Sequence, residues 1–596
     1  MARTAHSVVA LRASRDCERG SGSSLSRSLA HTAAAPAGAM RPLLLLALLA
    51  TAVAATPPPV LIQVGGGGAG RGSNARAHAA QRPDLDPDRP PPPHPDPFQG
   101  ATVVNADSVT VADVLLKGGK IARVSPTPLR PPRGAAVVRA AGLLLAPGGV
   151  DPHTHLDAPF MGGTADDYWS GTRAALAGGT TTVIDFALPA HPSQPLAAAH
   201  ARAAALVTRD AAADVGLHVA VAAPWSDEVK RDMASLSSRG VASFKFFLAY
   251  KGAYAIDDGS LLEAMAHAKG LGAVSMAHCE NADAVDFLAA ATVARGVTGP
   301  EGHALSRPAS LEDEGTARAI ALAGIVGAPL YVVHVMSRGA AASIAAARAT
   351  GQPVYGEAVT AGVAGDSQGV RSKNFTVAAA HVMSPPIRSV AHQTALGAAL
   401  ARGDLQGIAT DHAPFSAAAK ATAAARADFR AIPNGVNGVQ ERMVIAYDLL
   451  VVRHKSNASR WVEATSTAAA KAFGLFPAKG SVTPGADADL VLLDPGATTT
   501  FSAATHASAA DVSVWEGRTF AGRVAGVWRA GARVVAADGS LIDATTRRGS
   551  GRLLKLCAGA SSLFEGVAAW DAARWGPAEF PGGLGAVARP PTRDEL

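Results

Sequence analysis

The stretch Gly148-Gly149-Val150-Asp151-Pro152-His153-Thr154-His155, directly after the apolar run Leu143-Leu144-Leu145-Ala146, decides how this chain reads. Residues two apart in extended chain point to the same side, so His153 and His155 can offer two imidazoles to one metal ion at the end of a strand. Alone, such a pair is equally a pair of turn histidines after a Gly-Gly bend. Further ligands at equivalent places downstream would separate the two readings.

Beyond that stretch, apolar β runs alternate with Ala-rich helical runs, the pattern of a parallel sheet with crossover helices. With the run before His153 as strand one, seven more strands are expected at 181–186, 215–221, 242–247, 273–278, 330–335, 353–357 and 405–411. Helices over 169–177, 261–269 and 312–323 fall between them. The expected fold class is therefore α/β, a TIM-like (β/α)8 barrel. In that fold the active site gathers at the C-terminal ends of the strands. Strand one ends in His153 and His155, strand four carries Lys245, strand five ends in His278, strand six in His334 and strand eight in Asp411. Four imidazoles, a lysine and a carboxylate at one mouth have the composition of a two-metal hydrolytic site.

The flanks of the barrel have a different texture. Short β patterns such as Thr102-Val103-Val104 and Lys120-Ile121-Ala122-Arg123-Val124 return at 480–494, so one discontinuous β-sandwich is expected, with the barrel inserted into it. The expected divisions are sandwich at 100–145, barrel at 146–477, sandwich again at 478–540 and a C-terminal tail over 541–596. Residues 56–99, with Gly65 to Gly68 and a Pro-rich end, read as a linker.

At 596 residues the chain exceeds one ordinary domain, and its 48% apolar content can fill a core of barrel size. A formal charge of +6 is modest for this length, so no nucleic-acid partner is inferred. Cys17, Cys279 and Cys557 are too few and scattered for a disulfide framework or a thiolate zinc site. Residues 1–39 have the composition of a transit peptide or of untranslated sequence. Residues 40–55 read as a signal peptide, too short to span a bilayer, so no stable membrane insertion is expected. The ending Arg593-Asp594-Glu595-Leu596 is a close variant of the Lys-Asp-Glu-Leu retrieval address. Together these ends place the chain in the lumen of the endoplasmic reticulum, with another organelle or the cytosol as the alternative, and make Asn374 and Asn457 glycosylation candidates.

At the metal-ligand positions the chain resembles the dihydropyrimidinase and hydantoinase family of cyclic amidohydrolases, over about 101–538. The likeness rests on Pro147 to His155, Ser243-Phe244-Lys245 through Ala249-Tyr250-Lys251, Gly299-Pro300-Glu301-Gly302-His303, Met383-Ser384-Pro385-Pro386, Thr410-Asp411-His412 and Ile432-Pro433-Asn434-Gly435. It implies two zinc ions per subunit, one held by His153, His155 and Asp411, the other by His278 and His334, with Lys245 bridging them as a carboxylated lysine. It also implies Asp411 as the proton shuttle, Tyr250 as the oxyanion stabiliser, and Tyr250, Ser384 and Asn434 as the positions that hold a small cyclic amide. A homotetramer is implied in the same way. The expected activity is ring opening of dihydropyrimidines, dihydrouracil to N-carbamoyl-β-alanine. The alternatives are a hydantoinase-like or allantoinase-like hydrolase, or a silent scaffold relative, which would lack the ligands. Dihydroorotases of the superfamily carry an arginine two residues after the second histidine; here Asp157 stands there, and its carboxylate is expected to disfavour an anionic ring.

Overall fold

In the computed structural model, residues 60–63, 101–132, 134–222 and 224–574 are described. The leader, the signal-like run and the Arg-Asp-Glu-Leu ending lie outside them. Eight parallel strands form one sheet in sequence order: Gly149–Thr154, Thr180–Ala187, Asp214–Ala220, Ser243–Phe247, Val274–His278, Leu330–Val335, Val354–Val359 and Gly407–Ala409. The last meets the first through a parallel bridge from Thr154 to His412, with His155 N–H donating to the His412 carbonyl at 2.9 Å, so the sheet closes on itself. Strand one is buried along its whole length. Such strands read as near-continuous apolar runs because helices cover their outer face and side chains fill the barrel.

The helices between strands start where the sequence supplies acceptors. Asp167 caps Tyr168–Ala177 in a capping box, and Ser226, Asp257 and Ser337 cap Asp227–Ser237, Asp258–Gly270 and Arg338–Ala349. Each satisfies a backbone N–H that would otherwise lack a partner.

The structure moves the first strand. The apolar run belongs to Leu144–Pro147, which pairs with Leu490–Thr500 in a second sheet; the first barrel strand is the histidine-bearing segment itself. Two glycines make the crossing. A Cβ on Gly148 would stand 2.2 Å from Thr181 Oγ1, and one on Gly149 would stand 2.5 Å from Arg442 Nη2. The chain can pass between the two sheets only where it has no side chain.

The second sheet has nine strands drawn from both sides of the barrel. Val109–Lys117 pairs with Ala101–Val104 along its first half and with Lys120–Ser125 along its second, so it passes from one layer to the other. Leu490–Thr500, Thr519–Arg529 and Ala532–Val535 extend the opposite edge. Val103, Val114, Leu145, Leu490 and Trp528 form a separate apolar core between the layers. Within the expected linker, Val60–Gln63 is a strand, antiparallel to Val109–Lys117 and parallel to Ala136–Arg139. Its first three residues, Val60-Leu61-Ile62, are an apolar run in a stretch otherwise rich in Gly and Pro.

After the sandwich the chain returns to the barrel. Arg552 and Leu554 hydrogen bond the backbone of Val215, Leu556 that of Gly240, and Gly559 that of Gly272, at the N-terminal ends of strands three, four and five. Leu556 and Leu563 pack with Phe473 below the barrel interior. The tail thus covers the mouth opposite the histidines. No described helix is long and apolar enough to cross a membrane.

Asp214, Asp487 and Asp489 converge at this lower junction, but Lys479 stands among them, 2.6 Å from Asp214, 3.0 Å from Asp487 and also paired with Asp489. Its ammonium takes the place a metal ion would need, and Arg552 joins Asp214 to Asp487. Barrel, sandwich and tail therefore meet in one buried ionic cluster. Burial acts to raise the Asp214 and Asp487 carboxyls, but Lys479 and Arg552 outweigh it and hold both below the ordinary 3.8, Asp487 at about 2. A depressed carboxyl contributes stability above its unfolded value and loses it as pH falls through its folded one, so this contribution fades between about pH 4 and 2. Lys479→Met leaves three buried carboxylates short of their partner and should cost roughly 3–5 kcal/mol. A urea midpoint equal to that of the native chain would contradict the role given to this lysine.

Candidate active site

Strand ends bring the polar groups together. Alternation along Ser243–Phe247 sends Phe244 and Phe246 outward to the helices and Lys245 inward. Barrel closure brings Asp411 against the first strand, with Oδ1 3.1 Å from Nε2 of His153 and 3.1 Å from Nε2 of His155. These three ligand atoms lie within 4.8 Å of one another. Lys245 Nζ is 3.3 Å from His153 Nε2. The His278 and His334 rings meet edge to face at 4.4 Å, and His334 lies 5.4 Å from His153, so the six groups form one contiguous cluster. Tyr250, His334 and Asp411 hold positive φ values of 64°, 37° and 51°, a conformation disfavoured for side-chain-bearing residues and concentrated at functional sites.

Two buried carboxylates fix which imidazole nitrogens are available. Glu357 Oε1 lies 2.5 Å from His153 Nδ1, and the same side chain accepts from the Tyr331 hydroxyl at 2.8 Å and from the His334 N–H at 3.2 Å. Glu280 Oε2 lies 2.8 Å from His278 Nε2 and receives Arg307 Nη1 at 2.6 Å. Each carboxylate takes one ring N–H, which leaves His153 Nε2 and His278 Nδ1 as lone-pair donors. Burial pushes His155 down to about 4 and also lowers His278 and His334, so these rings are neutral, the form that ligates. Burial would raise Asp411, but His153 beside it holds the carboxyl well below its usual range. Burial brings Lys245 down to about 8, within reach of a neutral amine. Burial would lower His153 as well, but the Asp411 and Glu357 carboxylates on either side of it raise it; with three neutral imidazoles and an ionised carboxylate beside it, the converging set fits a binuclear metal centre.

Above the cluster lies a cavity of about 110 Å³, which His155, Lys245, His278, His334 and Asp411 line from below. Phe160, Met161, Leu188, Phe247 and Tyr254 give its walls an apolar surface, and Tyr250, Ser384 and Asn434 line it as well. Tyr250 packs against the His278 ring at 5.1 Å. The Ser384 hydroxyl lies 3.2 Å from His303 Nε2, so its side chain is already engaged. His153, fully buried, sits beneath the lining.

Asp157 corrects the expectation placed on it. It is not among the cavity-lining residues, and its carboxylate pairs with Arg202 at 3.1 Å. A residue with φ of 50° directs its side chain off the strand line, and no charge at the cavity follows from it. What bears on charge preference is that no arginine lines the described cavity.

The sequence reading passed over Glu357, Glu280 and Arg307. Glu357 carries a signal, a lone carboxylate within an apolar strand, which is costly unless paired. Glu280 and Arg307 lie outside any strand, and only the fold shows them meeting.

Residues 144–534 match the Amidohydrolase family model. A dihydropyrimidinase of Arabidopsis thaliana is 45% identical over 439 residues, 73% of this chain and 81% of that protein. A dihydropyrimidinase of Rattus norvegicus is 44% identical over 426 residues, 70% of this chain and 81% of that protein. Among solved structures, a D-hydantoinase at 38% identity has a TM-score of 0.74, covering 78% of this chain and 99% of its own. The pairing of His153 with Glu357 gives a direct test. Glu357→Ala should weaken metal binding by about 10–100-fold. Competition with a chelator of known affinity measures this, and an unchanged affinity would remove Glu357 from the site.

Proposed function

The chain belongs to the amidohydrolase family, and on that footing we propose that it opens the ring of 5,6-dihydropyrimidines, converting dihydrouracil to N-carbamoyl-β-alanine in pyrimidine catabolism. The observation that carries this is the cluster of His153, His155, Lys245, His278, His334 and Asp411 under a small cavity with apolar walls. A silent scaffold relative would lack that set. His153, His155 and Asp411 would hold one zinc ion, His278 and His334 the other, with carboxylated Lys245 between them. A lysine ammonium repels a divalent cation, whereas its carbamate is an anionic oxygen ligand. Carbamate formation needs the neutral amine, which a value of about 8 for Lys245 makes accessible.

When bound, two zinc ions supply Lewis acidity, bringing water toward ionisation at neutral pH and polarising the carbonyl under attack. The chain supplies the rest. Asp411, between the two strand-one histidines, takes the proton from the attacking water and passes it to the ring nitrogen as the C–N bond breaks. Water's hydroxyl thus ends on the carbonyl carbon and its proton on nitrogen, giving a ureido group and a carboxylic acid, which releases its proton to solvent at neutral pH. Tyr250, whose hydroxyl burial keeps protonated, donates to the developing oxyanion. Ser384 and Asn434 orient the ring, the former through its backbone since its hydroxyl is engaged. The apolar walls of Phe160, Met161, Leu188 and Phe247 exclude water and favour an uncharged ring.

The proposal extends to assembly and address. A homotetramer follows from the family resemblance, and residence in the endoplasmic reticulum lumen from the signal-like 40–55 and the Arg593 to Leu596 ending. Asn374 and Asn457 are both exposed, and each caps a helix through its side-chain oxygen. Deleting residues 593–596 should release the protein into the medium of a secreting cell; retention equal to the full chain would refute the address. For the chemistry, full chain loaded with zinc and bicarbonate is offered dihydrouracil, hydantoin, allantoin and dihydroorotate. Dihydrouracil should give the highest kcat/KM and dihydroorotate the lowest, and activity that returns equally well when CO2 is stripped during loading would rule out the carbamate.

A further inference from the structure

Among the described residues, Lys420 is a buried lysine with no carboxylate partner. It ends the short helix Ala417–Lys420, is 2% exposed, and among the described residues no charged neighbour offsets its burial. Lysine is rarely found so deep unless paired, because its ammonium gives up hydration. Packing against Phe415, 5.9 Å from its ring centre, could be met at lower cost by an apolar side chain.

What the ammonium does hold is backbone. Nζ donates to the Val382 carbonyl at 2.8 Å and to the Ala379 carbonyl at 3.1 Å, near the C-terminal end of Phe375–Ala380. The Val382 carbonyl also accepts the Gly435 N–H at 3.0 Å. One oxygen therefore ties the segment leading to Ser384 to the one carrying Asn434. Both segments are fixed on their far sides. His303 Nε2 lies 2.9 Å from the Met383 carbonyl, and a Cβ on Gly435, whose φ is 156°, would fall 2.1 Å from the Ala413 carbonyl oxygen. The spacing between Ser384 and Asn434 across the cavity is thus set at Val382, and Lys420 anchors that carbonyl from beneath.

We propose that Lys420 is a positioning residue for substrate: it fixes the separation of the Ser384 and Asn434 positions and so governs how well the ring is held, not how fast it is opened. This rests on the reading that those two positions hold the ring amide. Loss of the strut weakens ground state and transition state alike, which appears in KM with kcat retained.

The test uses full-length Lys420→Met and Lys420→Arg, assayed with whichever of the four rings the native chain opens, together with metal content per chain. Lys420→Met should raise KM about tenfold or more while kcat stays within about threefold and metal content is unchanged. Lys420→Arg keeps charge and donors but seats a larger head under Val382; it should raise KM severalfold with the same split, and it decides the matter if the Met variant does not fold. An unchanged KM in the folded variants, or a fall in kcat and metal content alongside the rise in KM, would overturn the proposal. A native chain that opens none of the four rings sinks the enzymatic reading and this inference with it, whereas an active native chain with unmoved KM in the variants sinks the inference alone.

Discussion

Asp411 Oδ1 stands 3.1 Å from Nε2 of both His153 and His155, and the rest of the molecule is arranged so that it can. The carboxylate comes from the eighth strand and the imidazoles from the first, more than 250 residues apart in sequence. They meet because the barrel closes there, through the Thr154 to His412 bridge. An open sheet with the same strands would leave these groups at opposite edges. Closure is also reinforced away from the ligands: the Thr410 hydroxyl donates to Asp151 at 2.6 Å, and Arg442 binds the Ile408 carbonyl of strand eight at 2.9 Å and Thr180 of strand two at 3.2 Å.

Holding so many polar groups away from water is costly, and the structure offsets the cost by pairing. Glu357 and Glu280 each serve two or more partners, so a ligand's orientation and its neighbour's charge are set by one group. The far mouth uses the same device on a larger scale, where Lys479 gathers three aspartates and joins tail, sandwich and barrel. The residues with left-handed backbone at Tyr250, His334 and Asp411 lie where this pairing and the closed sheet over-determine the chain, which is what lets local strain persist.

Much of this was legible in the sequence because two periodicities carry it. Alternation of β runs with Ala-rich helices gives the barrel, and the C-terminal ends of its strands pick out His153, His155, Lys245, His278, His334 and Asp411. Where the chain changes sheets without changing composition, the reading slipped: Leu144–Pro147 and Gly149–Thr154 look like one apolar strand, and only the clash at Gly148 separates them. Val60–Gln63 was hidden by its Pro- and Gly-rich surroundings. Asp157 was misjudged because distance along the chain does not tell which way a residue with positive φ turns. Glu280, Arg307 and Lys420 were invisible for a common reason: each gains its role from a partner distant in sequence.

Ring opening at these strand ends depends on a binuclear centre, and the most direct measurement is the metal content of the purified, active full chain. Two metal ions per chain are expected, removed by chelation together with ring opening and restored with it. Full ring-opening activity in protein carrying no metal, or a single ion per chain, would contradict it.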